Sequence, residues 1–163
     1  ITFDSDAKQI IPLTDLASFQ MVDIKASGLT SLGAALSLLA DKLENEVTKT
    51  TLEQKGDWKP IVFIMTDGVP TDDWSVGFNK LKSVKKGLIV GCAAGNGADD
   101  NVLKQISDSV VRLSNTDAES IAKFFQWVSA SIATSSTKVE ETGIDLTKKD
   151  QLPPPPSELI IVA

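Results

Sequence analysis

Histidine is absent from the 163 residues, and cysteine occurs once, at Cys92. The first absence removes Ser-His-Asp and Cys-His catalysis and any zinc site built on imidazole. The second removes an intrachain disulfide, and with it the oxidised scaffold of small secreted domains. No stretch approaches the roughly 20 apolar residues of a membrane span. No signal peptide is recognisable, so the expected location is cytoplasmic. Positive charge is also short: 16 Lys and Arg against 22 Asp and Glu give a net charge of −6. That disfavours nucleic acid and anionic lipid as partners, since both need a positive field. It is compatible with binding a cation. An initiator methionine is lacking, and the chain opens on Ile1-Thr2-Phe3-Asp4 as if in mid-strand. This suggests a fragment of a longer protein.

What is present suits one domain with a proper core, at 42% apolar and 23% charged residues. Ile1 to Asp4 and Lys8 to Leu13 read as a hairpin around the turn Asp4-Ser5-Asp6, with Pro12 suited to an edge. Leu32, Leu36, Leu39 and Leu43 follow helical spacing. Ile61 to Met65 is apolar on both faces, as in the middle of a covered parallel sheet. A helix is expected over Asp73 to Lys86 with Gly87 as its C-cap, then a strand over Leu88 to Cys92. A loop over Ala93 to Asp100, a short helix with Val102, Leu103 and Ile106, and a strand over Val110 to Leu113 follow. Thr116 to Glu119 has the pattern of a capping box, opening a long amphipathic helix. Composition places a boundary near residue 134, with a polar, proline-rich tail over 135–163. Its apolar end, Leu159 to Val162, is able to dock as an added strand. Strands alternate with helices, so the class is α/β with a mostly parallel sheet and an antiparallel edge strand.

In such sheets ligands sit beyond the carboxyl ends of the strands. Asp67, after the run Ile61-Val62-Phe63-Ile64-Met65-Thr66, stands at such an end. Thr30, in the small-residue loop Ala26 to Ser31, precedes a helix. A threonine hydroxyl and an aspartate are hard oxygen donors of the kind magnesium takes, often with only one or two carboxylates and several waters. Each also has a plain structural reading: Thr30 as a helix N-cap, Asp67 as a turn residue before Gly68. Asp72 and Asp73 either open the next helix, where the dipole favours acids, or form a rim that helps choose a partner. Cys92 reads as a buried structural thiol.

The stretches Ala26-Ser27-Gly28-Leu29-Thr30-Ser31-Leu32-Gly33 and Val62-Phe63-Ile64-Met65-Thr66-Asp67-Gly68 together resemble a von Willebrand factor A domain. The resemblance implies a Rossmann-like three-layer sandwich over residues 1–134. It also implies a metal-ion-dependent adhesion site that binds Mg²⁺, or Mn²⁺ or Ca²⁺. Thr30 matches the family's loop threonine and Asp67 its late aspartate, with Ser27, Gly28, Ser31 and Gly68 in the site loops. The family's DxSxS motif is missing. It would precede the strand at Ile1 by roughly 40 to 50 residues, about one βαβ unit. Metal binding is therefore expected only when that segment is supplied. The implied activity is binding of a protein partner that donates a carboxylate to the ion, not catalysis. The wording of the segment from Val62 to Trp74, and of that from Ile1 to Thr14, is further similar to TerY-like proteins of bacterial tellurium-resistance clusters. That similarity implies a stress-response role and kinase- or phosphatase-like partners.

Two other readings stay open. Asp4-Ser5-Asp6 after an apolar run, Thr66 at a strand end, Lys82, Lys85 and Lys86, and the acids Asp99 and Asp100 look like the parts of a haloacid-dehalogenase-type phosphatase. There Asp4 would be the nucleophile and Asp6 the acid/base. A β-turn is the plainer account of both acids. The third reading is an α/β interaction module that needs no metal.

Overall fold

The computed structural model describes residues 1–25, 28–142 and 152–162, the side chains of 137–142 excepted. The chain divides into two compact units, one of residues 1–58 and 69–86, the other of 59–68 and 87–163.

In the first unit β1 (Thr2–Phe3) and β2 (Ala7–Lys8) form an antiparallel hairpin. Its turn is built by the two acids themselves. Asp6 N–H donates to the Asp4 carboxylate at 3.1 Å and Ala7 N–H to the Asp6 carboxylate at 2.8 Å. The second strand is two residues long rather than the expected six. Beyond it the chain bonds to a carboxylate instead of a strand: Gln9 Nε2 and Leu13 N–H both donate to Glu46. A short 3₁₀ turn follows at Leu16–Ser18.

Helix α1 (Leu32–Glu46) buries Leu32, Gly33, Ala35, Leu36 and Ala40 along one stripe. It packs on α2 (Trp74–Ser83) through small residues: a Cβ at Gly77 would stand 2.2 Å from the Gly33 carbonyl oxygen. Helix α2 ends earlier than expected. Val84 is its C-cap, in extended conformation, and Gly87 is not part of it. The Gly87 N–H instead donates to the Pro60 carbonyl at 3.0 Å, at the entry to the sheet of the second unit.

That sheet has the order β3-β4-β5-β6. Strands β3 (Val62–Thr66), β4 (Ile89–Ala93) and β5 (Ser109–Leu113) are parallel, in the register Val62↔Ile89 and Val90↔Ser109. Strand β6 (Leu159–Ile161) joins antiparallel at the edge, with Leu113↔Leu159. The tail does dock as an added strand. All five residues of β4 are buried, as a central strand between two helical layers requires. On one face Val90, Cys92, Val111, Leu113 and Leu159 meet Phe124 and Trp127 of α4 (Ala118–Thr142). On the other, Gly91 lies against Leu103 and Ser107, at and just after α3 (Asp100–Ile106).

Helix α4 runs past residue 134, where composition changes, and its start is capped one residue later than the sequence pattern implies. The Asp117 carboxylate, not the Thr116 hydroxyl, accepts from Ser120 N–H at 2.7 Å. Among the described residues no helix is long and apolar enough to cross a membrane.

Candidate functional site

The two residues matched to the metal motif lie in different units, Thr30 in the first and Asp67 in the second.

In the first unit, Thr30 is half-buried just ahead of α1. It is not the helix N-cap. Ser31 holds that position, and its side chain makes no capping bond. The orphan amides of the first turn are met from a distant part of the chain. Gly33 N–H donates to one oxygen of the Asp72 carboxylate and Ala34 N–H to the other, both at 2.9 Å. Thr71 binds Thr30 twice: Thr30 N–H donates to Thr71 Oγ1 at 3.2 Å, and Thr71 N–H donates to the Thr30 carbonyl at 2.9 Å. Ser31 N–H donates to the Asp4 carbonyl at 2.9 Å, which ties the loop to the hairpin as well. Gly28 has φ +82°, and a Cβ there would stand 2.6 Å from Ser5 Oγ. Thus Gly28 is needed both for its backbone angle and for the close pass of the hairpin. Ser27 lies outside the described residues.

In the second unit, Asp67 is exposed at the tip of β3. The turn that follows is not made by its carboxylate. Gly68 N–H donates to Thr66 Oγ1 at 3.3 Å, so the threonine takes the turn role. Ala94 N–H donates to the Thr66 carbonyl at 2.9 Å. A Cβ at Gly97 would stand 2.4 Å from the Asp67 carbonyl oxygen. The glycine loop after β4 therefore closes on the same rim. Arg112 braces that loop from β5: its guanidinium donates to the Gly95 carbonyl and, at 2.5 Å, to the Asp100 carboxylate.

The other acids singled out in the sequence are engaged. Asp73 caps α2, accepting from the hydroxyl and the amide of Ser75. These bonds, the hydroxyl's first, hold its carboxyl below the usual carboxylate range. Asp99 caps α3 through Asn101 N–H and Val102 N–H. Asp4 and Asp6 shape the hairpin turn on a two-stranded ribbon, which supports the β-turn reading over that of a nucleophile on a central parallel strand. Cys92 is fully buried, and burial pushes its thiol up to about 12. It is an inert packing residue.

Against this background two oxygens stand out. Among the described residues, neither the Thr30 hydroxyl nor the Asp67 carboxylate makes a hydrogen bond or ion pair. Both are hard donors and fit a magnesium-like ion chemically. No group of three acidic, cysteine or histidine side chains able to hold a metal occurs among the described residues. Sequence reasoning missed the clamp formed by Thr71 and Asp72. Its partners stand about forty positions upstream, beyond the reach of any local pattern.

The family model of the von Willebrand factor type A domain matches residues 1–127. Neither the curated proteins nor the solved structures yield a match.

Proposed function

Because the chain belongs to the von Willebrand factor type A domain family, we propose that it is a metal-dependent protein-interaction module and not an enzyme. Members of the family are generally interaction modules, often dependent on a divalent metal. The observation that carries the reading here is the contrast just described. In the acid-rich stretch from Asp67 to Asp73, the side chains of Thr71, Asp72 and Asp73 all serve local structure, and the Asp67 carboxylate alone is spared.

A bound divalent ion would supply a positive centre with one coordination position left to a partner's carboxylate. Thr30 would hold it through Oγ1, and Asp67 through its carboxylate or a bridging water. Gly28, Ser31 and Gly68 would shape the loops, with Ser27 beside them. The family's DxSxS motif, which would supply the remaining ligands, does not occur in this sequence. The similarity to TerY-like proteins supports a role in bacterial tellurite or stress resistance, with kinase- or phosphatase-like partners from the same cluster.

Calorimetry with Mg²⁺ and Mn²⁺ tests this on two forms, the present chain and one extended upstream by a strand and helix carrying DxSxS. Saturable binding is expected in the extended form and is expected to vanish in its Asp67→Ala variant with the fold intact. Absence of binding in the folded extended form would sink the reading and leave a metal-independent α/β module.

A further inference from the structure

We propose that the chain associates with a second copy of itself through two unlike surfaces of its first unit. The loop that follows α1, led by Leu52, seats on the apolar segment 13–24 of the neighbouring copy. The contact needs no metal and stands apart from the metal-site reading above.

The loop after α1 is a closed, self-supporting frame. At its neck Thr48 N–H donates to the Asp57 carboxylate at 2.8 Å and Asp57 N–H to the Thr48 carbonyl at 2.9 Å. Between the arms, Gly56 N–H donates to Thr50 Oγ1 at 3.1 Å. At the tip Thr51 N–H donates to the Gln54 carbonyl at 2.9 Å, and Thr51 Oγ1 accepts from Glu53 N–H and Gln54 N–H. A Cβ at Gly56 would stand 2.4 Å from Thr50 N, so glycine at that position lets the arms close. Compact surface loops with their ends held together are frequent carriers of function. The apex of this one is Leu52, which is fully exposed. A lone exposed leucine is ordinary on a protein surface. One held at the apex of a closed frame is pre-organised to insert into a partner, because little loop entropy is left to lose.

The same unit carries an apolar surface without cover. Leu13, Leu16, Met21 and Ile24 are exposed, and the acids Asp15 and Asp23 stand exposed among them. Charge selects which surface meets which. Lys49 and Lys55 flank Leu52, against the single acid Glu53, while the Asp57 carboxylate is spent on the Thr48 amide. Lys55 is also positioned, its Nζ 4.4 Å from the centroid of the Trp58 ring. The segment 13–24 holds two acids and no base, with Lys25 just beyond it. Segment on segment would oppose like charges, whereas loop on segment pairs unlike ones. A contact between two different patches of the same molecule is heterologous, and it adds copies head to tail into a ring or an open chain.

Sedimentation velocity over a concentration series tests this with the whole chain and two charge-reversed variants, Lys49→Glu with Lys55→Glu and Asp15→Lys with Asp23→Lys. All four positions are exposed, and circular dichroism is expected to show the fold unchanged. The unsubstituted chain is expected to grow past the dimer as concentration rises. Each variant alone sets like charges across the contact and is expected to associate about tenfold more weakly. Mixed in equal amounts, the two variants again oppose unlike charges and are expected to regain the association of the unsubstituted chain. Leu52→Ser is expected to weaken association with no change in charge. A monomer at every concentration, unchanged association in either charge-reversed variant, or a mixture that associates no better than its components overturns the inference.

Discussion

Gly33 and Gly77 lack side chains where the backbones of α1 and α2 pass closest, and the cost of adding one is predictable. Alanine at 77 gains helix propensity of about 1 kcal/mol over glycine. It also drives a methyl group into the Gly33 carbonyl. Overpacking against a backbone atom is the larger effect, and Gly77→Ala is expected to lose about 2 kcal/mol by thermal or urea unfolding. A stability equal to the wild type would show that the two helices slide apart cheaply. Cys92 gives a pH prediction at the same scale. Its folded thiol is pushed up to about 12, above the ordinary thiol value of the unfolded chain. Below that ordinary value both states hold the proton and stability is unaffected. Above it the unfolded state loses the proton first, so stability falls as pH rises toward 12. The decline between pH 9 and 11 is expected to be shallower in Cys92→Ala, and native Cys92 is expected to resist alkylation at pH 8. Single residues were also where sequence reading reached its limit. Local pattern singles out Thr30 and Asp67 as candidates only. That Ser31 would take the cap position, Thr66 the turn and Asp72 the capping bonds depended on pairings between distant segments, which no local pattern records.

The elements were more legible, for a physical reason. A buried parallel strand must be apolar on both faces, and an amphipathic helix must repeat near 3.6 residues, so β3, β4, β5, α1 and α4 announced themselves. The ends were less so. Strand β2 stops at Lys8 because Glu46, at the far end of α1, takes the Leu13 amide and the Gln9 side chain. Those two bonds, the Leu13 amide first, hold the Glu46 carboxyl below the usual range, with Lys42 adding to them. The contribution is present above the ordinary glutamate pKa and lost as pH falls through the lowered one. A carboxyl-carbon titration by NMR is expected to place Glu46 below the ordinary glutamate value, and Gln9→Ala is expected to move it back up. At the opposite edge, β6 is short but anchored. Leu159 is 4% exposed within the core, and Trp127 Nε1 donates to the Pro153 carbonyl at 2.9 Å. Leu159→Ala is expected to cost roughly 2–4 kcal/mol, by the loss of its burial and the cavity left behind. A loss under 0.5 kcal/mol would mean that the strand contributes little to the core.

At the scale of the whole molecule, apolar surface is distributed unusually. Leu16 and Met21 are each 90% exposed, and Leu13, Ile24 and Leu29 are exposed beside them in the sequence. Among the described residues β3 pairs on one side only. An apolar strand with an unsatisfied edge is a template for another chain. The protein by itself is expected to self-associate with rising concentration in sedimentation velocity, and Met21→Glu with Leu16→Glu is expected to reduce this; a monomer at all concentrations would show that both features are harmless. The α/β class was legible at this scale, whereas the division into two units was not, because it follows from contacts that interleave distant segments of the chain. The pairing of β5 with β6 has a consequence for synthesis. Leu113 waits for Leu159, so while the chain emerges from a ribosome the sheet is open along β5 until β6 has cleared the exit tunnel. A nascent chain whose β6 has yet to emerge would offer that edge to chaperones or to its neighbours on a polysome.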